Sequence, residues 1–240
     1  MSEYNNKTSF ASSASRTYTY DSALRDYMVK VYNFMAMALG ISGAVAFVTA
    51  NTPALMNVLF GTPLLWVVAL APLGFVIFFS VKLNSLSAQT AKNYLWIYSA
   101  LMGLSLSSLL IMYTGASVAR VFFITASVFG AMSLYGYTTK KDLTGFGSFL
   151  IMGLIGVLIA SLVNIFLKSS AMEFALSILG TLIFIGLTAY DTQRIKQTYY
   201  HFAGNRELVN KMAVVGALSL YMDFINLFIH LLRFFGERRG

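Results

Sequence analysis

No charged residue occurs between Val31 and Val81, and this uncharged stretch constrains the fold more than any other feature of the chain. A helix crosses the hydrocarbon core of a bilayer with roughly 20 apolar residues, so the stretch is too long for a single crossing. It contains the sequences N-T-P at residues 51–53 and G-T-P at residues 61–63, which are typical of loops. We therefore predict two membrane spans, near residues 31–50 and 64–82.

The rest of the chain continues this apolar character. Only 11% of the 240 residues are charged and 58% are hydrophobic, whereas soluble domains are about 25% charged. Five further spans are predicted near residues 94–113, 118–137, 146–167, 172–192 and 212–234. The sequence thus predicts an all-α integral membrane protein whose seven transmembrane helices pack in one bundle.

The chain divides into three parts by composition. Residues 1–27 are polar and lack the apolar segment of a signal peptide, so we interpret them as a flexible cytoplasmic tail. Residues 28–236 are expected to form the seven-helix transmembrane domain, and residues 237–240 a short basic tail. Cysteine is absent, which excludes disulfide bonds and thiolate metal sites.

Basic residues alternate between the two sides of the predicted spans. Twelve lie on the side of the N-terminus: Lys7, Arg16, Arg25, Lys30, Lys82, Lys92, Lys140, Lys141, Arg194, Lys196, Arg206 and Lys211. The other side has Arg120 and Lys168 before the C-terminus is assigned. Because cytoplasmic loops carry an excess of Lys and Arg, the N-terminus is predicted to be cytoplasmic. This distribution explains the net charge of +8 without a nucleic-acid partner.

The C-terminal tail conflicts with this rule. Seven full crossings place Arg233, Arg238 and Arg239 on the outer side, where basic residues are disfavoured. A re-entrant seventh segment would return them to the cytoplasm. The sequence leaves the side of the tail open.

Two aspartates interrupt the apolar segments. Asp191 lies at the end of the sixth predicted span, and Asp223 lies in the middle of the seventh. A carboxylate at membrane depth costs several kcal/mol unless it is paired, protonated or hydrated, so it marks a functional site by default. The last two spans form an antiparallel hairpin with its turn near Gly204–Asn205, so the depths of the aspartates differ by roughly 8 Å or less. We expect the two carboxyl groups to meet in the cytoplasmic half of the bundle.

Polar and small residues form one stripe along the seventh span. Their spacing alternates between three and four residues: Gly216, Ser219, Asp223, Asn226, His230 and Arg233. Such a stripe cannot face lipid, so it indicates a water or proton path inside the bundle. The alternative is a packing seam held by hydrogen bonds between helices. On the sixth span, Thr188 shares a face with Asp191.

Two buried carboxyl groups in contact are not both ionised, because each charge disfavours the other in a low-dielectric interior. Three chemistries follow from the residues alone. The pair could share a proton as a pH sensor, bind a hard cation such as Ca²⁺ transiently, or act as an aspartyl-protease dyad. The protease motifs G-x-G-D and P-A-L are absent, as are nucleotide, dinucleotide and zinc motifs. We expect neither an enzyme nor a bound cofactor.

The sequences A-Y-D-T-Q at residues 189–193 and A-L-S-L-Y-M-D-F-I-N-L-F-I-H-L-L-R-F-F-G at residues 217–236 resemble the Bax inhibitor-1 family. This family is also called the transmembrane Bax inhibitor motif proteins. The resemblance extends from about Tyr27 onward, and the short tail and compact loops are similar to those of bacterial members. It implies a seven-helix bundle with the seventh helix at its centre. It also implies a pH-dependent Ca²⁺ leak in which Asp191 and Asp223 are the sensor.

The chain departs from the family pattern at one position. Related bacterial proteins have an arginine near the end of the second helix that latches onto the aspartate of the sixth helix. Here Lys82 is the nearest substitute and Lys92 a weaker one, and lysine cannot form the bidentate contact of arginine.

Two functions follow from the resemblance. The first is a pH-sensitive calcium leak channel of the bacterial inner membrane, with Ser219, Asn226, His230 and Thr188 beside the cation path. The second is a non-conducting regulator that binds a membrane-anchored AAA protease or another partner.

Overall fold

The structure is a computed structural model that describes the backbone of residues 2–239 and the side chains of residues 22–239 other than Asn84. The described residues form eight α-helices and one turn of 3-10 helix at Leu83–Ser85. The α-helices are α1 (Ser2–Ala50), α2 (Pro53–Phe60), α3 (Leu64–Lys82), α4 (Ala88–Met112), α5 (Gly115–Thr138), α6 (Thr144–Leu167), α7 (Ser170–Phe202) and α8 (Arg206–Phe235). We predicted a flexible tail over residues 1–27. The side chains of its first 21 residues are outside the described part of the chain, so the tail stays a prediction.

Seven of the helices in the described part of the chain are long and apolar enough to cross a membrane. They are α1 from Ser22 onward and α3 to α8. The prediction of an all-α integral membrane bundle with seven spans is confirmed. The helix α3 has the predicted bounds, the other six are longer than the predicted spans, and α7 continues ten residues beyond its predicted end at residue 192.

Local sequence signals set the helix boundaries. The side chains of Ser87, Thr114, Ser169 and Asn205 each accept a hydrogen bond from the backbone N–H three residues later, and so cap α4, α5, α7 and α8. Such caps satisfy amide groups that have no partner inside the helix. The short helix α2 was not predicted. It begins at Pro53, a first-turn position where the missing N–H has no cost.

The seventh span, α8, lies at the centre of the bundle. It packs against α1, α4, α5 and α7, and 67% of its most apolar window is buried, against 11% for α3 and for α6. The prediction of a central seventh helix is therefore confirmed.

The chain after α8 is fixed to the end of the bundle where α4 and α5 connect. The backbone N–H of Thr114 donates to the carbonyl of Glu237, and that of Arg239 donates to the carbonyl of Met112, both at 2.9 Å. Arg120 lies 3.1 Å from Glu237. This end is opposite to the start of the first span. The segment α8 is thus one continuous helix that runs from one end of the bundle to the other, as a full crossing requires.

Candidate functional site

The helices α7 and α8 form an antiparallel hairpin, and two glycines set its register. A Cβ atom on Gly216 would lie 3.0 Å from the side chain of Ile195, and one on Gly180 would overlap the ring of His230. These contacts place Asp191 near the level of Ser219 and Asp223 about one helical turn, roughly 5 Å, further along the bundle.

This offset brings the two aspartates together. Side chains of a helix lean toward its N-terminus. In an antiparallel pair, Asp191 and Asp223 therefore lean toward each other across the one-turn offset. Each carboxyl group is the side-chain hydrogen-bonding neighbour of the other, and the charge of Asp191 acts on Asp223.

The two carboxyl groups have different access to water. Asp223 is 5% exposed, and its Oδ2 atom has no hydrogen-bond partner among the described residues. Asp191 is half-buried and lies on a cleft of about 110 Å³, which Tyr27, Arg194 and Ser219 also line. A buried polar atom without a partner costs about 1–3 kcal/mol. A proton held between the two carboxyl groups would remove that cost, and the cleft gives the proton a route to Asp191.

The cation that acts on Asp191 lies on the same helix. Arg194 is exposed, lines the same cleft and acts on Asp191 electrostatically. Sequence reasoning missed it, although its spacing of three residues is a recognisable signal for a helical ion pair. Lys82, proposed as a latch, is exposed at the end of α3. The ion pairs found among residues 22–239 are Arg120–Glu237 and Arg238–Glu173, so Lys82 is not paired with Asp191 here.

Of the other polar residues predicted at the site, Ser219 lines the cleft of Asp191, and Thr188 and Asn226 form side-chain hydrogen bonds that do not reach the pair. The Thr188 hydroxyl donates to the carbonyl of Phe184 at 2.7 Å, and the Asn226 amide donates to the carbonyl of Met222 at 2.8 Å. Both bonds stay within one helix. They give each side chain a hydrogen-bond partner without a contact to a neighbouring helix.

His230 lies further toward the C-terminal end of α8. Its ring stacks on Phe184 with 5.7 Å between centroids, and a Cβ on Gly180 would overlap that ring. The Nδ1 atom is buried and has no hydrogen-bond partner in the described part of the chain. His230 thus fills the space between α7 and α8 beyond the aspartate pair.

A second polar cleft lies at the other end of the bundle. It has a volume of about 280 Å³, and its lining includes Asn164, Glu173, Arg233 and Arg238. The linings of the two clefts have no residue in common among the described residues. Between them lie the buried side chains of Phe184 and Leu227. The two polar clefts are therefore separate from each other.

The pair is not a complete metal site by itself. Within the described ranges, no group of three or more His, Cys, Asp or Glu side chains is placed to hold a metal ion. Calcium takes six to eight oxygen ligands, and two carboxylates supply at most four. A Ca²⁺ ion at Asp191 and Asp223 would keep part of its water, which suits an ion in transit better than a resident one.

Comparison with known proteins identifies the family of the chain. Residues 24–240 match the family described as "Inhibitor of apoptosis-promoting Bax1". The chain is 50% identical over 232 residues to the protein RP147 of Rickettsia prowazekii, covering 97% of this chain and 98% of that protein. It is 48% identical to the inner membrane protein YbhL of Escherichia coli K12, covering 90% and 93%. A membrane protein of Streptococcus pyogenes serotype M1 is 37% identical, with coverage of 90% and 95%. The chain is a membrane protein of the Bax inhibitor-1 family.

Proposed function

We propose that the protein is a pH-sensitive calcium leak channel of the bacterial inner membrane, gated by the pair Asp191 and Asp223. One observation supports this most directly. A buried carboxyl group, one oxygen of which has no hydrogen-bond partner among the described residues, lies against a second carboxyl group that lines a cleft. A helix–helix packing seam needs hydrogen bonds but does not need two ionisable groups in contact.

In the closed state the pair shares one proton. The proton lies between the carboxyl groups of α7 and α8, and the pair carries a single negative charge. The half-buried His230 and the buried Phe184 then close the space beyond the pair, toward the cleft that contains Glu173 and Arg233.

When the pH on the side of Asp191 rises, the shared proton leaves through its cleft. Two carboxylates about 4 Å apart repel by roughly 4 kcal/mol at an effective dielectric constant near 20. That free energy is enough to change the ratio of two conformations by about a thousandfold. The separation of α7 from α8 then admits hydrated cations, which the two negative charges attract. Ca²⁺ flux therefore increases as the pH rises.

The proposal also includes the orientation of the protein in the membrane and its partners. The excess of basic residues on the side of the N-terminus supports a cytoplasmic position for the cleft of Asp191. The protein is proposed to act without a cofactor and without a catalytic step, with the bilayer and Ca²⁺ as its partners.

The test is Ca²⁺ flux into vesicles that contain the purified protein and a trapped Ca²⁺-sensitive dye, measured between pH 5 and pH 8. Asp223→Asn keeps the size and the hydrogen bond of a protonated aspartate but cannot ionise. We expect flux to stay low at every pH, with the steep pH dependence of the unchanged protein lost.

Asp142→Asn is the matched control, because Asp142 lies in the loop before α6. Hydrogen bonds from the hydroxyl and backbone N–H of Thr144, at 2.6 and 2.9 Å, hold the pKa of Asp142 below its usual range. The carboxyl is already ionised throughout the range tested, so the control should keep the original pH profile. An unaltered profile in Asp223→Asn would refute gating by the pair. Vesicles of the unchanged protein with no flux at any pH would refute the channel and favour the regulator of a protease or other partner.

A further inference from the structure

A groove separates α1 from α5 on the outside of the bundle. We call it the α1–α5 groove; its lining includes Arg25, Val29, Tyr32, Gly130, Leu134 and Tyr137. The helix α1 packs mainly on α4 and α8, and α5 packs on α7 and α8. The two helices meet where the hydroxyl groups of Tyr32 and Ser133 hydrogen-bond. Toward the N-terminal end of α1 they enclose a cavity of about 540 Å³.

The groove is open on the outside of the bundle and is mainly apolar. Val29 is 48% exposed and Leu134 is 64% exposed on its two edges, and Met28 and Phe129 form a buried apolar floor. The stretch from Arg25 to Tyr32 is about 10 Å long at 1.5 Å per residue. A helix is about 10 Å in diameter and does not fit between two helices that are joined by a hydrogen bond. A single acyl chain does fit.

The end of the groove nearest the N-terminus is positively charged. Arg25 is exposed and forms no ion pair within the described part of the chain. The Nζ atom of Lys196 lies 5.2 Å from the ring centroid of Tyr137 and donates to the Tyr137 carbonyl at 2.9 Å. The exposed Lys140 and Lys141 follow directly after α5. Two acids lie nearby among the described side chains, Asp26 about 100° round the helix from Arg25 and Asp142 directly after Lys141, and neither lines the groove.

We propose that the α1–α5 groove binds one anionic phospholipid, with an acyl chain along the apolar floor and the phosphate at Arg25. A guanidinium binds a phosphate through two parallel hydrogen bonds. Further cations at the same end favour a headgroup with net negative charge over a zwitterionic one. The site is independent of the ion flux proposed for the aspartate pair.

The test is native mass spectrometry of the purified full chain in detergent, with phosphatidylglycerol or phosphatidylcholine of identical acyl chains. The unchanged protein should retain one phosphatidylglycerol in preference to phosphatidylcholine. Arg25→Gln should reduce the phosphatidylglycerol adduct about tenfold, because it removes a charge-assisted hydrogen bond. Arg206→Gln changes an exposed arginine at the same end of the bundle, outside the groove, and should leave the adduct unchanged.

A second variant tests the position of the acyl chain. A Cβ on Gly130 would meet no atom within 4 Å, so Gly130→Leu should fold normally and fill the groove. We expect it to abolish the adducts of both lipids. Gly74→Leu adds the same side chain at an exposed position of α3 with equally open space, and it should change nothing.

Three results would overturn the proposal. Equal retention of the two lipids by the unchanged protein would exclude selection of an anionic headgroup. Full adducts in Gly130→Leu would place the lipid elsewhere. A change in oligomeric state in Gly130→Leu, with no change in lipid adducts, would make the groove a contact between copies of the chain.

Discussion

The helices α3 and α8 are both apolar enough to span a membrane, yet they lie in opposite environments. The most apolar window of α3 has a mean hydropathy of 2.5, against 1.8 for α8, but 11% of the first is buried and 67% of the second. The more hydrophobic helix is the more exposed one. In a bilayer the lipid is as apolar as a leucine side chain, so hydrophobicity does not draw a helix inward.

The polar residues explain the difference. Along α3 the exposed positions are large apolar side chains such as Trp66, at 67%, and Leu73, at 62%. Along α8 the acid Asp223 is buried, as are its neighbours Leu220 and Tyr221. An ionisable group at membrane depth requires protein or water around it, whereas an apolar side chain accepts lipid. The helix that cannot tolerate lipid therefore occupies the centre.

The largest expected effect comes from placing an acid on the lipid-facing helix. Leu73→Asp in the middle of α3 should oppose insertion by roughly 2.5–3.5 kcal/mol, because no protein surrounds the new carboxyl group. The fraction of chain recovered in the membrane after expression measures this. Leu73→Val is the control and should insert normally. Normal insertion of the aspartate variant would mean that α3 has a protein or water neighbour at this position.

A smaller effect is expected where α8 is in close contact with its partner helix. Gly180→Ala places a Cβ against the ring of His230, and overpacking of this kind costs about 1–3 kcal/mol. Thermal unfolding of the purified protein in detergent should show a lower midpoint. Gly74→Ala on α3 meets no atom within 4 Å and should not lower it. Equal midpoints for the two variants would contradict the tight packing of α7 on α8.

The smallest effect concerns one buried hydroxyl group of α8. The Tyr221 hydroxyl bonds to the Ser42 hydroxyl at 2.6 Å, and Ser42 also bonds to the carbonyl of Ser99 at 2.7 Å. Tyr221→Phe should cost about 0.5–1.5 kcal/mol, since Ser42 keeps its carbonyl partner. Tyr135→Phe, on the exposed side of α5, should be neutral in the same unfolding assay. A neutral Tyr221→Phe would indicate that this hydrogen bond adds nothing to the central packing.

Sequence patterns predicted the features that follow from hydropathy and helical periodicity. The seven spans follow from uncharged stretches, and the buried position of Asp223 follows from the alternating spacing of polar residues on α8. The meeting of the two aspartates follows from the short turn before α8, because a hairpin fixes the relative depths of its two helices.

Other features were not accessible from the sequence. Periodicity places Asn226 inside the bundle, but it cannot indicate that its amide bonds to a carbonyl of its own helix. Every helix offers such an acceptor at each turn, so a polar stripe does not identify which side chains contact a neighbour. The position of the C-terminal tail depends on backbone hydrogen bonds to Met112 and Thr114, and no side-chain pattern encodes those bonds.

The hydrogen bonds at the two ends of α8 have a mechanical consequence. The residues after its C-terminal end are joined by backbone hydrogen bonds to the connection between α4 and α5. Near its N-terminal end, Glu207 accepts the backbone N–H of Ala88 at 2.8 Å, and Asn210 accepts the amine of Lys30 at 2.7 Å. Because α8 is hydrogen-bonded to the bundle at both ends, neither of its ends is free to move. Under the proposed gating, charge that develops at Asp223 would therefore act on the helices around α8 rather than displace α8 itself.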